Sequence, residues 1–358
     1  MTILFTGGGT MGPVTPLLAV ARRMREMEKD VHLVWAGTKE GPEKSVVERE
    51  KIPFYDVPVA KVPRFISLRL GTFPIDYWKA RRRAREILAD VKPDLVVSAG
   101  AFSSVAIMHE AKKRGIPCAT HQLDYKPGLA NRIMARWCDS VTTTFEYKKA
   151  PFGRKSARVK TPCRFTGKIA DRQNFLRDGF QKKALARFGL DPDKKTLFVF
   201  GGGTGALALN DVISELLDDL LREIQVIHVT GSGKGSPRKR KHYVTASFFD
   251  EKAMLDAYAA SDLVISRAGL GTISELACLQ KAAILVPIPH SHQEANAEAM
   301  PFPIIEQKGQ FAKNLLDEIR GLIDNEKRKE KIGKEANHHL PTDDGTDLAK
   351  RWLELVKK

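Results

Sequence analysis

Cysteine is scarce in this 358-residue sequence: there are four, they are scattered, and they show no CxxC spacing. This excludes a disulfide framework and a cysteine-based zinc site, and it predicts reduced core thiols in a cytoplasmic protein. The chain also lacks any run of about 18 apolar residues, the length that a membrane-spanning helix needs, and it shows no secretory signal pattern. We therefore expect a soluble chain with room for two domains of about 150 residues each.

Acidic residues are also in short supply, since 43 Asp and Glu face 59 Lys and Arg and the formal net charge is +16. Such an excess indicates a polyanionic partner, which can be nucleic acid, anionic lipid or a phosphorylated substrate. The basic residues concentrate in segments 61–92, 148–172 and 234–242. None of these segments belongs to a recognisable DNA- or RNA-binding motif, so nucleic-acid binding is disfavoured. For any single cluster, a solvated basic face is the alternative.

Apolar runs of strand length alternate with segments of helical periodicity along most of the chain. This alternation predicts βαβ units and parallel sheets that are covered on both faces. The two halves echo each other, because Gly7–Thr10 follows the first strand and Gly201–Thr204 follows a later one. We predict an α/β protein of two doubly wound, Rossmann-like domains facing a cleft, residues 1–165 and 166–343, with a last helix in 344–358 that packs back on the first domain.

The first glycine loop, Gly7–Gly12, joins a strand to a helical stretch opened by Pro16. A turn of this kind presents backbone N–H groups and the positive end of the helix dipole, which suits a phosphate or diphosphate. The loop is not a GxGxxG in the dinucleotide register, and it lacks the Lys-Ser/Thr of a Walker loop. A tight turn without a ligand is an equally good interpretation.

A second glycine-containing motif, Ser266–Ala277, is more specific. Gly269 and Gly271 allow a sharp turn whose backbone amides could hold a diphosphate, and Thr272 offers a hydroxyl. Glu275, expected in the first turn of the following helix, could accept hydrogen bonds from two ribose hydroxyls. The alternative is an acidic residue that only stabilises the start of the helix.

Two further segments carry polar side chains after buried strands. His290 and His292 lack a third metal ligand at suitable spacing, so His292 and Gln293 are interpreted as hydrogen-bonding a polar ligand. Asp124 and His121 lie at the carboxyl end of another predicted strand, where either could act as a general base. The alternatives are a polar helix N-terminus for the first segment, and a turn cap beside a satisfied core histidine for the second.

Residues 64–83 interleave apolar and aromatic side chains with cations. Aromatic residues suit the membrane interface and cations suit anionic head groups, so the segment predicts a peripheral anchor on an anionic membrane surface. The alternative is that half of these apolar residues belong to the core. The residues expected to meet the membrane are Phe65, Ile66, Leu68, Phe73, Trp78, Arg81, Arg82 and Arg83.

Taken together, the motifs resemble the MurG-type glycosyltransferases of family 28, which have the GT-B fold. The similarity runs over nearly the whole chain and is strongest in FGGGTGALALN, in SRAGLGTISELA and in HQEANA. The resemblance implies an inverting, metal-independent enzyme without a cofactor. Such an enzyme moves N-acetylglucosamine from UDP-GlcNAc to a lipid-diphosphate-linked muramoyl-peptide in peptidoglycan synthesis, on the inner face of the plasma membrane.

The resemblance also implies roles for individual residues. Phe249 would lie beside the uracil, with its backbone reading the base edge, and Gln293 would contact the sugar. In the first half, Thr10 and Gly12 would face the diphosphate, and Asp124 stands where the family has an asparagine near the sugar. The remaining implied contacts, all to the UDP part of the donor, come from Leu270, Gly271, Thr272 and Glu275.

The sequence departs from the family pattern at several of these positions. Met11 and Pro13 replace a glycine and the histidine often assigned to catalysis, and Gly203 replaces a serine. Since Pro13 cannot accept a proton, Asp124 is our first expectation for the base and His121 the second. A different glycolipid or soluble acceptor, and a catalytically weak UDP-sugar-binding protein, stay open as alternatives. A UDP-GlcNAc epimerase is disfavoured, because it would give the basic and apolar stripe no purpose.

Overall fold

The computed structural model describes residues 1–59, 69–147, 149–153, 156–166, 178–202, 205–234 and 240–357. They form two compact units. The first unit is Met1–Arg164 with Asp343–Lys358, and the second is Phe165–Thr342. Each unit contains a parallel sheet with helices, which confirms the predicted pair of doubly wound α/β domains.

The first unit contains a seven-stranded sheet with the order β3-β2-β1-β4-β5-β6-β7. All its neighbouring strands are parallel. Its central strands are almost continuously apolar and buried, because helices cover both faces of a parallel sheet. The strands are β1 (Thr2–Thr6), β2 (His32–Gly37), β3 (Phe54–Asp56), β4 (Leu95–Ser98), β5 (Cys118–Gln122), β6 (Ser140–Thr143) and β7 (Ser156–Arg158). The helices are α1 (Val14–Met27), α2 (Glu43–Arg49), α3 (Arg69–Val91), α4 (Ser103–Lys113) and α5 (Leu129–Met134).

A short pair of strands and a last helix complete this unit. The strand β8 (Thr161–Pro162) pairs with β14 (Thr342–Asp343), and the final helix, Thr346–Val356, packs on α1. Arg23 on α1 donates a hydrogen bond to Thr346 Oγ1 at 2.8 Å. Gly345, at φ +94°, lies so close to α1 that a Cβ there would come within 3.0 Å of the Val20 backbone.

The second unit contains a five-stranded parallel sheet with the order β11-β10-β9-β12-β13. Its strands are β9 (Thr196–Phe200), β10 (Gln225–Val229), β11 (Tyr243–Ala246), β12 (Leu263–Ser266) and β13 (Ala283–Leu285). Its helices are α6 (Asp178–Phe188), α7 (Leu207–Glu223), α8 (Glu251–Ala260), α9 (Leu270–Leu279), α10 (His292–Glu298), α11 (Phe311–Ile323) and α12 (Glu326–His339). The final helix of the first unit is therefore α13.

Each sheet reverses its strand order at one place. In the first unit β1 lies between β2 and β4, and in the second β9 lies between β10 and β12. Loops that leave neighbouring strands in opposite directions open a crevice at the carboxyl ends of those strands, which is where doubly wound sheets bind ligands. The loops after β1, β9 and β12 all begin at such a place.

Two helix starts differ from the sequence-based expectation. Helix α1 begins at Val14 with Pro13 as its N-cap, before Pro16, because the fixed φ of a proline fits the first positions of a helix. Helix α9 begins at Leu270, so Glu275 lies in its second turn and not in its first. Among the described residues, all four cysteines are buried thiols, and no helix combines the length and apolarity needed to cross a membrane.

Candidate functional site

In the second unit, helix α9 presents an open N-terminus directly after β12. Gly269 is its N-cap, and the first bond within the helix runs from the Ile273 N–H to the Gly269 carbonyl at 3.0 Å. The N–H groups of Leu270, Gly271 and Thr272 therefore have no acceptor within the helix. A Cβ built on Gly269 or Gly271 would meet no atom within 4 Å, so the space beside this backbone is open. Unpaired amides at the positive end of a helix dipole suit a phosphate group.

Glu275 lies one turn further along α9 and is fixed from the protein side. It is 6% exposed, and its carboxylate accepts a hydrogen bond from the Tyr258 hydroxyl at 2.8 Å. Tyr258 is itself fully buried against Phe198 and Phe200, with both ring pairs edge to face. The carboxylate is therefore held from the protein side, in the second turn of α9.

Phe249, expected beside a uracil, turns its ring inward. The ring packs on Phe188 and Phe198, with centroids 5.6 Å and 6.5 Å away. The ring is therefore engaged within the protein, and the role of the Phe249 backbone in reading a base edge stays a prediction. The neighbouring Phe248 is 63% exposed, and sequence reasoning did not single it out.

The loop between β13 and α10 holds itself together through the side chains expected to bind a ligand. The Gln293 side-chain oxygen accepts a hydrogen bond from the Ile288 N–H at 3.1 Å, and Ser291 caps α10 by accepting from the Gln293 N–H at 3.2 Å. The side-chain oxygen of Gln293 is thus already engaged within the protein. His292 is exposed at the start of the helix.

Arg267, between β12 and α9, is a site-forming residue that sequence reasoning missed. It is 7% exposed, and its guanidinium donates to the Val286 carbonyl at 2.9 Å and to Gln307 Oε1 at 3.2 Å. The first bond ties the loop before α9 to the loop after β13, and the second ties it to the segment between α10 and α11. Burial lowers the pKa of the guanidinium from its ordinary value. An arginine that directly follows a buried apolar strand was the available signal.

In the first unit, the glycines of the loop after β1 surround a carboxylate of the protein itself. Glu43, the first residue of α2, is fully buried, and it accepts hydrogen bonds from the Gly9 N–H at 3.1 Å and from the Thr38 N–H at 2.7 Å. A Cβ on Gly8 would lie 1.9 Å from one Glu43 oxygen, and a Cβ on Gly41 would lie 2.0 Å from the other. At Gly8 and Gly41, side chains are excluded by this internal anion, independently of any ligand.

The outer part of the same loop faces solvent. Thr10 and Gly12 are exposed, and Pro13 is half-buried at the start of α1. The Met11 carbonyl closes the turn by accepting hydrogen bonds from Val14 N–H and Thr15 N–H, both at 3.1 Å. The residues available to a ligand are thus those after Gly9, the last amide that Glu43 occupies.

The two candidate bases at the end of β5 differ in their exposure to solvent. His121 is fully buried, and its ring nitrogens lie 2.9 Å from Thr142 Oγ1 and 3.2 Å from Thr144 Oγ1. Burial lowers the pKa of its imidazole to about 3. The expectation that His121 could act as a base is therefore wrong, because it is a core residue without access to substrate. Asp124 is half-buried on the loop that follows, and its carbonyl accepts from Gln122 Nε2 at 2.6 Å.

The described residues include only part of the predicted membrane segment. Phe65, Ile66 and Leu68, and Gly203 of the donor-side loop, lie outside the described residues, as does the side chain of Phe73. On α3, Trp78 is 55% exposed.

The three predicted membrane cations on α3 differ in their partners. Arg81 is not available to a membrane, because its guanidinium pairs at 2.5 Å with Glu110, a side chain that is 5% exposed. Arg82 is 66% exposed and pairs with Glu86 on its own helix. Arg83 contacts both Glu86 and the Asp56 carbonyl. In the described parts of the chain, no group of three or more His, Cys, Asp or Glu side chains could hold a metal ion.

Comparison with known proteins gives matches over both units. The model of the glycosyltransferase family 28 N-terminal domain matches residues 3–143, and that of the family 28 C-terminal domain matches residues 196–336. A relative from Lachnoclostridium phytofermentans is 32% identical over 95% of this chain and 96% of its own length. One from Nocardioides sp. is 34% identical over 99% and 98%.

Both relatives carry the name UDP-N-acetylglucosamine--N-acetylmuramyl-(pentapeptide) pyrophosphoryl-undecaprenol N-acetylglucosamine transferase. Among solved structures, Acinetobacter baumannii MurG has a similar fold, with a TM-score of 0.72 at 22% identity over 99% of each chain.

Proposed function

Because the chain belongs to glycosyltransferase family 28, we propose that it transfers N-acetylglucosamine from UDP-GlcNAc to a muramoyl-pentapeptide carried on a lipid diphosphate. Relatives at 32% and 34% identity over nearly the full chain are named for this reaction. In the transfer, an acceptor hydroxyl forms the new bond to the anomeric carbon of the sugar, the bond to UDP breaks, and the hydroxyl proton passes to a base.

The observation that carries this proposal is the open N-terminus of α9 with Glu275 beside it. The amides of Leu270, Gly271 and Thr272 have no acceptor within the helix, and the space beside Gly269 and Gly271 is open, so a diphosphate there would gain from both hydrogen bonds and the helix dipole. The same contacts strengthen as negative charge develops on the departing UDP, which is the property that makes a binding group catalytic. Glu275, held by Tyr258, would accept the ribose hydroxyls.

We assign the role of base to Asp124. Asp124 follows β5 at the carboxyl edge of the sheet. It is half-buried, whereas His121 is fully buried in the core. Pro13 occupies the position at which the family has a histidine and cannot accept a proton. A positioned base is typically worth about 10²–10⁴-fold in rate. Asp124→Asn should therefore lower turnover by about that factor and leave UDP affinity unchanged.

We also propose that α3 carries a peripheral contact to an anionic membrane. Ile75 and Trp78 are 57% and 55% exposed and lie three residues apart, so they share one face of the helix, and Arg82 extends that face. An exposed tryptophan beside cations is the composition that interfacial helices use. Such a contact would bring the enzyme to a lipid-linked acceptor.

The decisive test incubates the protein with radiolabelled UDP-GlcNAc and a panel of acceptors, both lipid-linked and soluble, and follows labelled product and released UDP separately. We expect label on the lipid-linked muramoyl-pentapeptide, and we expect Glu275→Ala to weaken UDP binding roughly tenfold because a charge-assisted hydrogen bond is lost. Label on a different acceptor would replace the substrate assignment. UDP binding without transfer to any acceptor would favour a binding protein. The observation that supports this alternative is that Pro13 stands where the family has a histidine.

A further inference from the structure

Three aromatic residues form a surface cluster beside Asp124, which we call the Tyr125 platform: Tyr125, Phe145 and Tyr147. The Tyr125 ring stacks on Tyr147 with centroids 5.6 Å apart and meets Phe145 edge to face at 5.3 Å. Despite both contacts Tyr125 is still 38% exposed, whereas Phe145 is buried. An aromatic ring that is supported from below and open to solvent is suited to receive a flat apolar face.

The platform is held rigidly. The Tyr147 hydroxyl donates to the Tyr125 carbonyl at 2.8 Å, and burial raises the pKa of this hydroxyl, so it stays a donor. Gln122 donates to the Asp124 carbonyl at 2.6 Å and in turn accepts from Asn131 Nδ2 at 2.7 Å. Because these bonds fix the backbone on both sides of Tyr125, its ring loses little freedom when a ligand binds.

Topology places the platform at the ligand-binding edge of the sheet. Tyr125 follows β5, and both Phe145 and Tyr147 follow the neighbouring strand β6. The strand β1, which leads into the loop with Thr10 and Gly12, is two positions from β5, with β4 between them. At about 4.8 Å per strand, the ends of β1 and β5 are about 10 Å apart, which a sugar with an attached diphosphate can span.

We propose that the Tyr125 platform is the subsite for the acceptor sugar, with the apolar face of its pyranose ring stacked on Tyr125. Asp124, next in sequence, is then beside the acceptor hydroxyl that it deprotonates. Lys126, exposed on the other side of Tyr125, gives the subsite a cation for the anionic groups of the acceptor. This inference rests on the proposed function and names the residues that determine which acceptor is used.

The test measures transfer as a function of acceptor concentration in Tyr125→Ala, Tyr125→Phe and the wild type. Phe180→Ala is the matched control, since Phe180 is 36% exposed in the other unit and lies on α6. We expect Tyr125→Ala to raise the acceptor KM roughly tenfold, the usual effect of truncating an aromatic anchor, with the donor KM unchanged. Tyr125→Phe keeps the ring and should restore most of the acceptor affinity that Tyr125→Ala loses, and the Phe180→Ala control should match the wild type. An unchanged acceptor KM in Tyr125→Ala, or an equal loss in Tyr125→Phe, would overturn the proposal.

A second measurement separates this inference from the proposed reaction. Saturation-transfer NMR with soluble N-acetylmuramoyl-pentapeptide as the probe reads binding without turnover. We expect transfer to the pyranose ring protons in the wild type and its loss in Tyr125→Ala. A wild type that makes no product but shows this transfer would refute the reaction and keep the subsite. Equal transfer in both proteins, or none in the wild type, would refute the subsite even if the enzyme is active.

Discussion

Replacing Gly8 by alanine tests whether the first glycine loop is shaped by the protein's own carboxylate. The backbone at Gly8 does not require glycine, because its φ is not positive. The obstacle is contact alone: the new Cβ would lie 1.9 Å from Glu43 Oε1 and 3.1 Å from the Thr38 nitrogen. Since Glu43 is fully buried and holds Gly9 and Thr38, it cannot move aside without losing hydrogen bonds.

The size of the effect follows from these contacts. Overpacking a buried position typically costs about 1–3 kcal/mol, and we expect Gly8→Ala at the upper end. Glu43→Ala should cost about 1–3 kcal/mol, because it leaves the N–H groups of Gly9 and Thr38 and the Thr38 hydroxyl without their carboxylate acceptor. In the Glu43→Ala background the closest obstacle to Gly8→Ala is gone, so there the second change should cost less than about 1 kcal/mol.

Urea unfolding followed by circular dichroism measures all four members of this cycle. The control is Gly12→Ala in the same loop, where the new Cβ would meet only Thr10 Oγ1, at 3.7 Å, and where stability should change by less than about 0.5 kcal/mol. Additive costs of Gly8→Ala and Glu43→Ala, or an unchanged midpoint in Gly8→Ala, would refute the steric account of this loop.

Three further outcomes follow from the structure. Gly271→Ala should leave stability unchanged or higher, since its Cβ meets nothing and alanine favours a helix, but calorimetry should show weaker UDP binding. Burial holds the pKa of His121 near 3 in the folded state, against about 6.5 in the unfolded chain. Lowering the pH from 7.5 to 5 should therefore reduce the free energy of unfolding by about 2 kcal/mol through this group. In denaturation measured as a function of pH, His121→Asn should make stability depend less steeply on pH. In co-sedimentation with anionic vesicles, Trp78→Ser and Arg82→Ala should weaken binding, whereas Arg81→Ala should instead lower the melting temperature, because Glu110 loses its cation.

The fold class was predictable because the relevant signals are local. Apolar runs such as those of β1, β4 and β9 are buried on both faces, and burial of that kind leaves a nearly continuous apolar sequence. The resemblance to family 28, carried by motifs around α9 and α10, is confirmed by matches over both halves of the chain. Helix starts were less predictable, since Leu270 is already helical after a glycine N-cap and Glu275 moves into the second turn.

Site residues were harder to predict, because their roles depend on partners distant in sequence. His121 looks like a catalytic residue at the end of a strand, but two threonines of the neighbouring strand and its loop occupy its ring nitrogens. Arg81 looks like a membrane cation until Glu110 of α4 is seen to pair with it. Arg267 is the opposite case, because the sequence did not single it out. Its guanidinium joins segments around the site through its bonds to the Val286 carbonyl and to Gln307.

Glycines that look alike in the sequence are required for different physical reasons in the structure. Gly8 and Gly41 are small because Glu43 fills the adjacent space, and Gly205 because the Thr230 carbonyl would lie 2.4 Å from its Cβ. Gly269 and Gly271 have nothing within 4 Å, so the protein itself gives no packing reason for them. A glycine without an internal reason is better evidence for a ligand than a glycine-rich pattern. Gly269 and Gly271 meet this criterion, in keeping with the diphosphate site proposed at the start of α9, and in the first loop Gly12 comes nearest to it, since its Cβ would meet only Thr10 Oγ1, at 3.7 Å.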